Sequence, residues 1–133
     1  MFASTPYDAA GPLVMVGLSC SLLIILTLII STLESVVMFL LKWGRFSRSL
    51  WASLLMNIAS TMFGLVALAF LDVLIGDSNL VLAIAFVLSV LIESGVLMLM
   101  KRGAARQNWI VSLTANLASY LFIILPLFVL LKA

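Results

Sequence analysis

The sequence predicts an all-α membrane protein of four transmembrane helices, arranged as two tandem parallel helical hairpins. Three observations carry that expectation. Of 133 residues, 65% are apolar and 9% charged, against about half apolar and a quarter charged in a soluble domain. The apolar residues fall into four runs, each long enough to cross a bilayer. The second half of the chain repeats the first at an offset of 59 residues. With mean hydropathy +1.36, the few charges cannot cover a globule in water, so lipid is the solvent for most of the chain.

The first run, Leu13–Leu41, contains one charge, Glu34. It exceeds the roughly 20 residues that span ~30 Å of hydrocarbon. The second, Ser49–Leu71, is uncharged; the third, Leu80–Met100, holds only Glu93; the fourth is Trp109–Leu131. The connections, Lys42–Arg48, Asp72–Asn79 and Lys101–Asn108, have the Gly, Ser and Asn content of short turns. Residues 1–133 are expected to form a single integral membrane domain, with repeat units 13–71 and 80–131.

Charge sets the expected orientation, because Lys and Arg in short loops stay on the cytoplasmic side. Lys42, Arg45 and Arg48 lie in the first connection and Lys101, Arg102 and Arg106 in the third, whereas the middle one carries only Asp72 and Asp77. A multi-pass protein of the cytoplasmic membrane follows, with both basic loops inside and both termini outside. Residues 1–12 lack a positive n-region and a small-residue cleavage site, so the first span is expected to persist in the mature protein.

Aligning residues 34–63 with 93–122 gives 12 identities in 30 positions. The rare letters are the ones that match. Glu34-Ser35 meets Glu93-Ser94, Lys42 meets Lys101, Gly44 meets Gly103, Ser53 meets Ser112, Asn57 meets Asn116, and Ala59-Ser60 meets Ala118-Ser119. A two-span unit inserts both copies the same way up, so the halves are expected to be related by a pseudo-twofold axis along the membrane normal.

Glu34 precedes Lys42 by eight residues and Asn57 follows Ser49 by eight, which places both about 12 Å into the membrane at ~1.5 Å per residue. Glu93 and Asn116 have the same relation about the third connection. A tight antiparallel turn brings each Glu level with its Asn, whose amide can donate to the carboxylate. Such a pair holds a hairpin in register, by roughly 1–2 kcal/mol or less. The competing reading treats an intramembrane acid as part of a proton or cation path.

Small residues on the second helix of each unit, Ser53, Ser60 and Gly64, then Ser112 and Ser119, suit close helix packing. Pro126 stands where the first unit has Ala67, and is expected to kink that copy alone. Trp43, Phe46, Trp51 and Trp109 flank the basic loops, where aromatic rings settle at headgroup level. Six cations beside them are expected to attract anionic lipid headgroups.

With no His and one cysteine, Cys20, the chain has no Cys/His or Ser/His nucleophile pair and no ordinary metal-ligand set. No catalytic residue, metal or cofactor is expected, and no basic face with interleaved aromatics marks a nucleic-acid binder.

Leu33-Glu34-Ser35-Val36-Val37 through Lys42, then Arg45-Phe46-Ser47-Arg48-Ser49, then Ser53-Leu54-Leu55-Met56-Asn57-Ile58-Ala59-Ser60 resembles the core of the cyanobacterial filament integrity protein FraC family. The resemblance covers the first hairpin, with a weaker echo in the second. It implies a small membrane protein at septa between adjoining cells, supporting filament integrity alongside other membrane proteins. By position it singles out Glu34, Arg48, Asn57 and Ser60. The sequence thus points first to a non-catalytic structural or assembly component, partnered by other membrane proteins or by copies of itself. Its alternatives are a small proton- or cation-coupled transporter or channel using Glu34 and Glu93, and an accessory subunit of an energy-converting membrane complex.

Overall fold

The computed structural model describes residues 10–75 and 77–132, with the backbone alone for 10–18, 68–69, 71–75, 78 and 132. Residues 1–9, most of the stretch read as lacking a cleavage signal, lie outside the described residues. Helix α1 spans Ala10–Leu40, α2 Phe46–Ile75, α3 Ser78–Met100 and α4 Ala105–Ser119. A π-helical turn, Tyr120–Ile124, joins α4 to α5, Leu125–Lys132. Four stretches are long and apolar enough to cross a membrane: Ser19–Leu40, Phe46–Ala67, Asn79–Met100 and Ala105–Leu131. The chain is an all-helical, multi-pass membrane protein.

All four helices begin earlier than the apolar runs, two of them at the basic turns. Phe46, Ser47 and Arg48 form the first turn of α2, and Ala105 to Asn108 that of α4. Hydropathy marks where hydrocarbon begins, but the backbone stays hydrogen-bonded into the headgroup layer, so the helix outruns the apolar run. Arg48 and Arg106, expected in loops, are therefore helical.

The helix ends are built by local chemistry. Lys42 adopts φ 56°, its N–H bonding to the Phe39 carbonyl (3.0 Å) and that of Trp43 to Met38 (3.0 Å). This is a left-handed helix terminus, with lysine where glycine is usual. Asp77 caps α3, its Oδ1 accepting from the backbone N–H of Asn79 (2.9 Å) and Leu80 (3.3 Å), with its charge at the positive end of the helix dipole.

Helix α1 packs on α2 and α4, and α3 on α2 and α4. The four spans therefore form a ring around a central axis. Burial inside it is inverted relative to a soluble protein. Among the described residues twelve buried side chains are polar or charged and eight are apolar, while Trp51, Met62, Phe63, Leu99 and Phe122 face outward. An exterior of this kind is stable only against lipid.

Candidate functional site

The polar residues of the ring lie at two levels. The deeper level contains the acids. Glu34 and Glu93 are each 1% exposed. Asn57 Nδ2 donates to Glu34 Oε2 at 2.5 Å, and Asn116 Nδ2 donates to Glu93 Oε2 at 2.5 Å. Each amide also donates to the carbonyl one turn earlier, Asn57 to Ser53 and Asn116 to Ser112, both at 3.0 Å. Those helical bonds aim each amide at its acid. Ser60 and Ser119 bond the carbonyls of Asn57 (3.3 Å) and Asn116 (3.1 Å), and each hydroxyl also faces the acid of the other half, Ser60 toward Glu93 and Ser119 toward Glu34.

The two halves differ at one hydroxyl. Ser53 Oγ donates to Glu34 Oε2 at 3.0 Å, whereas Ser112 Oγ turns to the Val90 carbonyl at 3.0 Å. Glu34 thus has a donor from its own half that Glu93 lacks.

Both acids and both amides border one central cavity of about 200 Å³, walled by all four spans. Ser60, Thr61, Ser89, Ser119 and Tyr120 add hydroxyls to its lining. Gly64 also borders it, and no atom lies within 4 Å of the Cβ it lacks. Its small size therefore leaves room in the cavity wall, where a close helix seam was expected. The lone pairs on offer are those of carboxylate and hydroxyl oxygens, each amide presenting its N–H to an acid, which suits protons and hard cations rather than soft metals.

No known protein family, curated protein or solved structure matches the chain.

The second polar level lies at the basic turns. Trp43, expected at headgroup level, is 2% exposed. Its indole N–H donates to Asn108 Oδ1 at 2.8 Å. Asn108 Nδ2 donates to the Lys101 carbonyl (2.9 Å), and Lys101 Nζ donates to the Trp43 carbonyl (2.9 Å) and to Gln107 Oε1 (2.8 Å). Arg48 reaches the Met100 carbonyl (3.0 Å), and Gln107 reaches that of Lys42 (3.3 Å). The Arg48 guanidinium and the Lys101 ammonium stand 5.4 and 5.7 Å from the Trp43 ring centre, within cation–π range.

The two basic turns therefore touch each other. Arg48, itself exposed, and Lys101 stitch them together, and Lys42, Arg45, Arg102 and Arg106 are exposed as well. Trp51 and Trp109 do face outward. The sequence reading missed Asn108, Gln107, Ser89 and Tyr120. Asn108 carried one usable signal, a long amide where the matched position, 49, has serine.

Proposed function

We propose that the chain is a small multi-pass protein of the cytoplasmic membrane in which two duplicated hairpins, 13–71 and 80–131, close around a proton- or cation-binding site made by Glu34 and Glu93. The observation that carries this reading is the shared cavity: both buried acids, each held by its own asparagine, border one space. Intramembrane acids are rare and mark ion pathways by default. A pair serving only as glue needs close packing and no void beside it, so a structural or assembly role accounts for the bonds but not for the space.

The duplication is supported by bonds that recur 59 residues apart. Asn57 to Glu34 matches Asn116 to Glu93, Ser35 to the Thr32 carbonyl matches Ser94 to the Leu91 carbonyl, and Ser60 to Asn57 matches Ser119 to Asn116. The proposed orientation keeps the basic turns in the cytoplasm and the α2–α3 turn outside, as the Lys and Arg distribution favours.

Purified protein in proteoliposomes loaded with a pH- or cation-sensitive dye provides the test. The wild type is expected to pass protons or a monovalent cation. Glu34→Gln and Glu93→Gln are expected to abolish that flux while keeping the folded, monodisperse protein, since Gln is isosteric and still hydrogen-bonds. Flux unchanged in both variants, with loss of a co-purifying membrane partner, would move the function to the assembly role.

A further inference from the structure

The cavity has a direction along the membrane normal. Fourteen residues line it, and four of them, Glu34, Asn57, Glu93 and Asn116, stand at one level. The other ten all lie on the α2–α3 side of that level. Ile30 and Ser89 come four residues before Glu34 and Glu93, on helices that run toward the basic turns. Leu65 and Ile124 come eight residues after Asn57 and Asn116, on helices that run away from them. Eight residues at ~1.5 Å each carry the space about 12 Å toward the α2–α3 turn.

On the basic side of the acids the interior is closed. Met38 and Leu97, one helical turn beyond Glu34 and Glu93, are 0% exposed, as are Ala52, Met56 and Val111. They form one apolar cluster with Trp43. Trp43 is clamped from the other half of the chain by Asn108 and Lys101. Arg48 and Gln107 add two further bonds across the halves at the same end. Parting the helices there breaks all four bonds at once.

We infer that the Glu34–Glu93 site is, in its resting state, a blind well, reached by water and small cations only from the α2–α3 side and sealed on the basic side by an apolar plug that Trp43 covers and that must part for an ion to cross. The well has room for about six waters at ~30 Å³ each, enough to bring a hydronium or a hydrated monovalent ion to the acids. This takes the cavity as the site of the proposed function, but its test does not depend on what binds.

The test is thiol labelling of the full chain in a Cys20→Ser background, using a charged, membrane-impermeant methanethiosulfonate in spheroplasts and in inverted vesicles. Arg45→Cys and Asn79→Cys, both exposed, define the two sides independently of any assumed orientation. Gly64→Cys, where a Cβ meets nothing within 4 Å, is expected to react only from the side that labels Asn79→Cys. Ala52→Cys, in the plug, is expected to react from neither side, and Trp43→Ala is expected to make it reactive from the side that labels Arg45→Cys. Labelling of Gly64→Cys from both sides, or of Ala52→Cys past an intact Trp43, overturns the well. One-sided labelling alongside flux indifferent to Glu34→Gln keeps the well and removes the cation reading, so the two failures are told apart.

Discussion

Asn57 and Asn116 make the same bond to an acid, but they are not equally important. Glu34 accepts from both Asn57 and Ser53, so losing Asn57 leaves it a donor from its own half. Glu93 accepts from Asn116, while Ser112 is engaged at the Val90 carbonyl. A buried acid that loses the last donor from its own half is destabilised by roughly 1–3 kcal/mol. Asn116→Leu is therefore expected to lower stability by about that amount and Asn57→Leu by less, read from unfolding midpoints in mixed detergent micelles. Equal losses would mean that Ser53 gives Glu34 nothing. These two pairs were legible in the sequence because Glu and Asn are rare inside spans and recur at mirrored positions. Asn108 was not, because it sits in a polar turn sequence where an amide attracts no notice. Its matched residue, Ser49, is too short to make the same reach, and its buried hydroxyl has no hydrogen-bond partner among the described residues.

At the scale of elements the fourth span departs from the second. Pro126 has no N–H for the Phe122 carbonyl, and its ring crowds that carbonyl. The Leu125 N–H bonds instead to Tyr120, five residues back, giving the single π-helical turn that often lies beside functional sites. The matched Ala67 imposes nothing of the kind, and α2 runs through it without interruption. That the fourth span would be irregular was legible from Pro126 alone; that the irregular turn borders the cavity was not, since nothing in the sequence locates a void. Pro126→Ala is expected to restore regular α-helix over 120–124 and turn Tyr120 away from Phe86, whose ring now meets it edge-on at 5.0 Å. Loss of the nuclear Overhauser contacts between the two rings is the readout. Their persistence would assign the π turn to packing rather than to proline. The connections show the opposite limit of sequence reading. Gly44 and Gly103 match in the alignment, yet in the first turn the left-handed residue is Lys42 and in the second it is Gly103, so matched letters do not guarantee matched backbone.

For the whole molecule, class was legible from composition because burial here is inverted: a chain with 9% charge that buries more polar than apolar side chains among its described residues can be stable only in lipid. How the halves join was not legible. The alignment pairs each residue with the one 59 positions on, whereas the bonds across the halves link Trp43 to Asn108 and Arg48 to Met100, positions that the alignment does not pair. In the membrane apolar contact alone gives helices little reason to associate, so polar bonds and packing must hold the halves together. All four cross-bonds of the basic end are remote from the α2–α3 turn, where Asp77 caps only its own helix. Breaking the chain at that turn therefore leaves all four of these bonds in place. Residues 1–76 and 77–133 expressed as separate chains in one membrane are expected to co-purify in equal amounts. Asn108→Leu together with Lys101→Met in the second piece is expected to abolish that recovery, because it leaves the Trp43 indole and carbonyl buried without partners. Equal recovery with and without the two substitutions would mean that the halves are held by helix packing along α1–α4 and α2–α3, and that the clamp on Trp43 closes the basic end without joining the molecule.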